Sequence, residues 1–133
     1  MNETPLVSII INSYNGEKFI KKSLESALIQ TYKNYEIIFW DNCSTDNTED
    51  IIVNFNKSNR IKYFKSNVHE LQYLARSRAV QKAKGKYFAF LDVDDWWDEN
   101  KLINQINLFK SKDVGIVCSN YWLVNERKKK YKP

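Results

Sequence analysis

Three carboxylates lie close together immediately after an aromatic, apolar run. The run covers 87–91, and Asp92, Asp94 and Asp95 follow it within four residues. Carboxylates this close repel one another unless a cation or hydrogen-bond donors offset their charge. Hard oxygen ligands in this arrangement suit Mg²⁺ or Mn²⁺, and such a metal commonly holds a substrate phosphate as well. The stretch therefore predicts a site for a divalent metal and a phosphate.

The same carboxylates have a second interpretation, in which they only shape a turn. Asp95 or Asp98 would then cap the helix that follows, because acidic side chains are favoured at helix N-termini. The local sequence does not decide between a metal site and a helix cap. The decision depends on which other polar residues the fold brings to the same place.

The elements that must position these carboxylates are strands that alternate with helices. Short apolar runs separated by longer amphipathic stretches indicate βαβ units and a parallel sheet, so the predicted fold class is α/β. In the third helix, Leu71, Leu74, Ala75 and Ala79 are expected to face the core. The predicted strands cover 5–11, 35–40, 61–64, 87–91 and 114–121, and the predicted helices cover 17–30, 47–56, 70–84 and a stretch around 102–109.

Polar clusters follow three of the predicted strands, at 12–15, 41–46 and 92–95. The carboxyl ends of parallel strands meet at one edge of the sheet, which is where ligands bind in open α/β folds. This convergence favours the metal site over the helix cap. The sequence has neither a GxGxxG nor a GxxxxGK[ST] loop, so a dinucleotide oxidoreductase or a P-loop enzyme would lack its phosphate cradle.

The excess positive charge of the chain is concentrated near residue 133. The net charge is +5, and five of the 21 basic residues lie between Arg127 and Lys132. We expect one domain over 1–126 and a basic tail over 127–133. Such a short run is commonly solvated, but it can also contact anionic lipid head groups at a membrane surface. No nucleic-acid-binding face is predicted.

The remaining composition argues against a structural zinc site and against a membrane span. Cys43 and Cys118 are far apart, and His69 is the sole histidine. No apolar run approaches the ~20 residues that a membrane-spanning helix needs, and no signal-peptide pattern is present. We expect a cytoplasmic protein, which the basic tail could bring to the inner face of the membrane.

Several stretches resemble the glycosyltransferase family 2 enzymes of the GT-A fold, in matching order and spacing. Residues 7–15 are similar to that family's opening strand and nucleotide-binding turn, and 41–48 to its Asp-Asp-Gly-Ser-Thr-Asp loop. Asp92-Val93-Asp94 resembles its Asp-x-Asp motif. The resemblance, which covers 5–121, implies a Rossmann-like GT-A domain with a mostly parallel sheet. It also implies transfer of a sugar from a nucleotide-diphosphate donor, favouring a UDP-sugar, to a glycan, lipid-linked or other hydroxyl acceptor, with inversion.

The resemblance further implies roles for individual residues. Asp41 would accept a hydrogen bond from the nucleotide base, Tyr14 would stack on that base, and Arg76 would contact the nucleotide. Asp94, with Asp92, would bind the Mn²⁺ or Mg²⁺ that bridges the phosphates. The implied nucleotide-sugar-binding residues are Asn12, Ser13, Tyr14, Asp41, Asn67, Arg76 and Asp92, with Asp95 supporting them or contacting a sugar hydroxyl. Asp41 as a turn-forming residue and Arg76 as a surface arginine are the alternatives.

Three positions depart from the family pattern. Asn12 replaces a proline, and Cys43 replaces a glycine, which costs about 1 kcal/mol if that position needs a positive φ. His69 ends a loop that is Asn-x-Gly in the family.

No catalytic base is assigned, because the base and the acceptor site of the family are expected beyond residue 133. The alternative to an enzyme is a non-catalytic module that binds a nucleotide or nucleotide-sugar. A third interpretation is a membrane-surface or nucleic-acid adaptor that acts through 127–132.

Overall fold

Four parallel strands form the main sheet of the protein, which is described here from a computed structural model for residues 4–56, 59–110, 113–125 and 130–132. The strands are β1 (Val7–Ser13), β2 (Tyr35–Asp41), β3 (Ile61–Lys65) and β4 (Tyr87–Phe90). Their spatial order is β3-β2-β1-β4. Val7 of β1 lies opposite Tyr35 of β2 on one side and Tyr87 of β4 on the other. The predicted α/β class with a parallel sheet is confirmed.

Helices cover both faces of the sheet. They are α1 (Ile20–Leu28), α2 (Thr48–Phe55), α3 (Gln72–Val80) and α4 (Lys101–Ile106), and α4 continues into a 3₁₀ helix over Asn107–Lys110. Ile9 and Ile37 pack in a core with residues of α1, α2 and α4. Ile10 and Ile38 point the opposite way and pack against α3. Burial on both faces explains why β1 and β2 are apolar almost throughout.

Helix α3 is shorter than predicted, and its first part faces differently. Ala75 and Ala79 are buried as expected, but Leu71 and Leu74 are 63% and 39% exposed. Leu71 has extended backbone angles (φ −62°, ψ 146°) and precedes the first turn. A helical periodicity therefore does not apply to it. The expectation that Leu71 and Leu74 face the core is wrong.

The predicted strand at 114–121 is also wrong. This stretch forms no strand, and Ile116 and Tyr121 are 83% and 78% exposed. β-branched residues favour extended chain, but a strand also needs a neighbour to bond with its main chain. The strand that does form, β5 (Leu123–Asn125), lies just beyond and pairs antiparallel with β6 (Lys130–Lys132).

Strand β6 lies within the segment predicted as a basic tail. Residues 126–129 and 133 lie outside the described residues, so the predicted boundary between the domain and the tail stays a prediction. Among the residues that the structure covers, no helix is long and apolar enough to cross a membrane.

Candidate functional site

A cleft of about 500 Å³ opens at the carboxyl ends of β1 and β4. The turn after β1, the segment before α3 and the residues after β4 form its walls. The lining residues are 12–16, Phe19, Asn42, 69–72 and 92–94. Polar turns that lie far apart in the sequence therefore meet at one edge of the sheet, as the topology predicts. A second cleft, of about 620 Å³, lies at the amino ends of the strands and is lined by Lys84 and Lys86 but by no carboxylate.

Hydrogen bonds hold the turn after β1 against the loop after β2. The main-chain N–H of Asn15 donates to Ser44 Oγ at 2.9 Å, and Asn15 Oδ1 accepts from the main-chain N–H of Thr45 at 2.8 Å. The Gly16 N–H donates to Thr48 Oγ1 at 3.1 Å. Asn15 has a φ of 51°, a left-handed conformation that asparagine tolerates better than most residues. One wall of the cleft is thus built from two loops fastened together.

Arg76 of α3 reaches the carboxylate that follows β4. Its Nη2 donates to Asp92 Oδ1, and its Nε lies 3.4 Å from Asn12 Oδ1. Both partners of the ion pair are partly exposed, so the pair contributes little to stability. Its importance is that it places a fixed positive charge beside the carboxylates of the cleft. Arg76, Asn12 and Asp92, predicted together from the resemblance, are in contact.

The carboxylates after β4 influence one another as their spacing predicts. Burial, and then the negative charges of Asp94 and Asp92, raise the pKa of Asp95 above its ordinary value. A cation near Asp92 and Asp94 would relieve this repulsion. Within the described ranges, no three His, Cys, Asp or Glu side chains converge as a complete metal site. Mg²⁺-type sites often use one or two carboxylates together with substrate phosphate oxygens, and these residues fit that kind of site.

The N-cap residue of α4 is Asn100, so neither Asp95 nor Asp98 acts as the predicted helix cap. Asp98 Oδ1 accepts the main-chain N–H of Asn100 at 2.9 Å and so shapes the turn before α4. Asp92 and Asp94 instead line the cleft. The acidic stretch therefore supplies two residues to the cleft and one, Asp98, to the turn before α4.

Asp41 is fully buried and does not line the cleft. Its Oδ1 accepts the main-chain N–H of Ser44 at 2.7 Å, and its Oδ2 accepts the hydroxyl of Tyr63 at 2.7 Å. Burial, followed by the bond to Asp41, raises the pKa of Tyr63 far above its ordinary value. In this arrangement Asp41 organises the loop, and its contact with a base stays a prediction. Asn67 is exposed and also lies outside the cleft lining.

Ser13 and Tyr14 line the cleft, and their contact with a nucleotide base stays a prediction. Ser13 is 3% exposed, and its Oγ has no hydrogen-bond partner in the part of the chain that the structure describes. A buried hydroxyl without a partner costs free energy unless a ligand or water bonds to it. Tyr14 is 49% exposed and offers an aromatic surface to the cleft.

Asn42 and His69 are among the cleft residues that were not predicted as site residues. The side chain of Asn42 makes two hydrogen bonds to the main chain of Glu70. Its Oδ1 accepts from the Glu70 N–H at 3.0 Å and its Nδ2 donates to the Glu70 carbonyl oxygen at 2.7 Å, so the segment before α3 is fastened to the end of β2. The His69 ring lies 4.0 Å from that of Tyr14. The sequence shows that His69 departs from the family loop. It does not show that the His69 ring meets Tyr14, because the two residues are far apart along the chain.

The parallel sheet, with carboxylates and an arginine at its carboxyl edge, places the chain among the Rossmann-like nucleotide-binding folds, and its similarity to solved glycosyltransferases identifies the GT-A type. The sequence profile of glycosyl transferase family 2 matches residues 8–133. The chain belongs to this family.

Named relatives and solved structures agree with that assignment. The chain is 48% identical over 118 residues to the Escherichia coli UDP-Glc:alpha-D-GlcNAc-diphosphoundecaprenol beta-1,3-glucosyltransferase WfaP, a match that covers 89% of this chain and 47% of the relative. The S. aureus TarS structure in complex with UDP is 28% identical with a TM-score of 0.70, over 74% of this chain and 30% of that one. GalNAc-T7 with UDP, GalNAc and Mn²⁺ is 26% identical with a TM-score of 0.62, over 70% and 19%. The chain spans about half the length of the curated relatives it matches.

Proposed function

We propose that this chain is the donor-binding part of a glycosyltransferase that takes its sugar from a UDP-linked donor. The observation that carries the proposal is that Asp92 and Asp94 line one cleft with the turn after β1, and that Arg76 bonds to Asp92 and to Asn12 of that lining. The name of WfaP describes transfer from UDP-Glc, and TarS was solved with UDP, which supports a uridine nucleotide as the sugar carrier.

The proposed roles follow from where each side chain lies. The base lies against Tyr14, and the diphosphate lies beside Arg76, whose guanidinium can donate two N–H groups to phosphate oxygens. Binding exchanges the ion pair between Arg76 and Asp92 for a contact between Arg76 and phosphate. Asp92 is then free to accept from a ribose or sugar hydroxyl.

A divalent cation completes the proposed donor site. Asp94 and Asp92 would hold Mn²⁺ or Mg²⁺, which would supply a Lewis acid to offset negative charge on the diphosphate leaving group. Burial is the main cause of the raised pKa of Asp95, and the negative charges of Asp94 and Asp92, which raise it further, are what a cation here would offset. The GalNAc-T7 structure, which contains UDP and Mn²⁺, supports the same pairing of nucleotide and metal.

The proposed acceptor is the hydroxyl of a lipid-linked sugar, the kind of acceptor that the name of WfaP describes. We propose inversion at the anomeric carbon, as the family resemblance implies, with a general base that removes the proton of the acceptor hydroxyl. No residue of this chain is assigned as that base.

Calorimetric titration of UDP with and without Mn²⁺ tests the donor site. We expect Mn²⁺ to strengthen UDP binding. In Asp94→Asn, the affinity for UDP measured with Mn²⁺ should be at least about tenfold lower, because a carboxylate ligand becomes a neutral amide. Asp50→Asn is the matched control, since Asp50 is exposed on α2 and outside the cleft.

Two results would contradict the proposal. One is the absence of UDP binding under any metal condition, and the other is an equal loss of affinity in Asp50→Asn. Transfer of labelled glucose from UDP-glucose, measured on a chain of the relatives' length, separates an enzyme from a module that binds donor without reacting. Binding with no transfer would favour the module.

A further inference from the structure

The rings of Tyr14 and His69 form one aromatic wall of the cleft. Their centroids lie 4.0 Å apart with an interplanar angle of 47°, although one residue follows β1 and the other precedes α3. Tyr14 remains 49% exposed after this contact, and His69 is exposed as well. The wall therefore offers both an aromatic surface and ring nitrogen atoms to a bound molecule.

Asn42 determines which nitrogen of His69 carries the proton. His69 Nδ1 lies 3.2 Å from the main-chain oxygen of Asn42, which can only accept a hydrogen bond. It also lies 3.4 Å from Asn42 Nδ2, but that nitrogen already makes a shorter bond of 2.7 Å to the Glu70 carbonyl oxygen. The shorter contact, to an oxygen that can only accept, favours the tautomer with its proton on Nδ1. In the neutral ring Nε2 is then an acceptor.

An acceptor beside Tyr14 is what a uracil base requires, because uracil presents a ring N–H between its two carbonyl groups. Asp41 is fully buried, and both of its oxygens already accept hydrogen bonds. Three side-chain amide oxygens that line the cleft are also engaged: those of Asn12, Asn15 and Asn42. His69 Nε2 makes no hydrogen bond within the described part of the chain, and its ring is the one that contacts Tyr14, so it can accept from a base that stacks there.

We propose that His69 is a specificity-determining residue of the donor site, whose Nε2 accepts the ring N–H of a uracil base stacked against Tyr14. The inference rests on the proposed function, since it assumes that a nucleotide occupies the cleft. Cytosine has an unprotonated nitrogen in the equivalent position and cannot donate there. The pair of rings therefore selects uridine over cytidine diphosphate.

Comparison of UDP with CDP measures this selectivity directly. Calorimetry in the presence of Mn²⁺ should give an affinity about tenfold higher for UDP than for CDP. His69→Phe keeps a ring beside Tyr14 but has no acceptor, so its affinity for UDP should fall about tenfold while its affinity for CDP changes less than about twofold. Val68→Ala is the control, because Val68 is in the same loop, is 61% exposed and lies outside the cleft lining.

A second readout follows His69 itself. Because His69 is the sole histidine, the side-chain nitrogen spectrum of the protein contains one imidazole. We expect a protonated Nδ1, an unprotonated Nε2, and a shift of the Nε2 signal when UDP is added. The role of His69 would be overturned if UDP binds without shifting this signal and if His69→Phe keeps the UDP-to-CDP affinity ratio of the unaltered chain. The proposed function would still stand in that case. No nucleotide binding by the unaltered chain would overturn both.

Discussion

Asp41 illustrates how one buried carboxylate can organise a functional loop. It is fully buried and bonds both to the main chain of Ser44, three residues ahead, and to the hydroxyl of Tyr63 on the neighbouring strand. A buried charge is tolerated only when such donors surround it. The loop that holds the turn after β1 therefore depends on Tyr63, which does not line the cleft.

Replacing Tyr63 by phenylalanine should destabilise the protein. Tyr63→Phe leaves one oxygen of a buried carboxylate without its donor, which we expect to cost about 1–3 kcal/mol in the free energy of unfolding. Urea unfolding measures this loss. Tyr73→Phe is the control, because Tyr73 is 67% exposed, and equal losses in both variants would contradict the prediction.

The unaltered protein should also show an alkaline transition that depends on Tyr63. The folded state holds the Tyr63 proton more tightly than the unfolded chain does, because its pKa is raised. This contribution to stability is complete below about pH 10 and is lost as the pH rises above that value.

Cys43 is in the left-handed backbone region, with a φ of 69°. Cys43→Gly should relieve about 1–2 kcal/mol of backbone strain in the folded protein. The greater freedom of glycine in the unfolded chain should offset about 0.4–1 kcal/mol of that gain. We expect a net gain of up to about 1.6 kcal/mol in urea unfolding. Cys43→Ala keeps the Cβ and should not show this gain, so a similar increase in both variants would contradict the explanation.

At the scale of the elements, two strands approach closely where the chain enters β4. A Cβ on Gly85 would lie 2.5 Å from the main-chain nitrogen of Ser8 and 3.0 Å from the carbonyl oxygen of Leu6. Gly85→Ala must therefore push β4 away from β1, with an expected loss of about 1–3 kcal/mol or more in thermal or urea unfolding. Gly115→Ala is the matched control, because nothing lies within 4 Å of its added Cβ.

Glu36 joins three elements at the amino ends of the strands. Burial by itself would raise its pKa, but hydrogen bonds from Lys62, the Ser8 hydroxyl and the Lys84 N–H outweigh burial and lower it. Because the folded pKa lies below the ordinary value of 4.5, this contribution to stability is present above about pH 4.5 and is lost as the pH falls through the folded value.

Glu36→Gln should flatten that dependence on pH. Unfolding free energies measured from about pH 7 to about pH 3 should fall less steeply in Glu36→Gln than in the unaltered protein, and the variant should be less stable by about 1–3 kcal/mol at neutral pH. Glu25→Gln, on the exposed surface of α1, should follow the unaltered protein. Parallel curves for all three proteins would contradict this role of Glu36.

The elements differ in how well the sequence predicts them. The strands β1 and β2 are recognisable because burial on both faces requires continuous apolar residues. The stretch 114–121 has similar residues but forms no strand, since composition does not reveal whether a neighbouring strand is available. The ends of α1 and α3 were predicted two or more residues too far out, because their apolar pattern continues into the flanking turns.

At the scale of the whole molecule, the topology makes the carboxylate and turn residues of the site predictable and leaves its detailed contacts unpredictable. Parallel strands bring the turn after β1 and the acidic stretch after β4 to one edge regardless of side-chain detail. The inward position of Asp41 and the contact between Tyr14 and His69 depend on packing between loops 55 residues apart. No periodicity or motif in the sequence encodes such a contact.

Contact with a membrane through the basic segment stays a prediction. If 127–132 bind anionic lipid, sedimentation with vesicles that contain an anionic lipid should fall sharply between about 0.05 and about 0.5 M salt, because surface charges are screened. Lys128→Ala combined with Lys129→Ala should weaken the binding, and Asp94→Asn should not. Binding that is indifferent to salt and to both lysines would contradict the prediction.

The order of strands in the sheet also has a kinetic consequence. Val7 pairs with Tyr87, 80 positions later, so the central strand β1 gains its second neighbour only after most of the chain has been placed. Pairing over such a distance closes a long loop and slows folding. Asp92 and Asp94 follow β4 directly, and they reach the turn after β1 only when β4 docks. We therefore expect nucleotide-binding capacity to return with the slowest phase of refolding, after most of the helix signal has recovered.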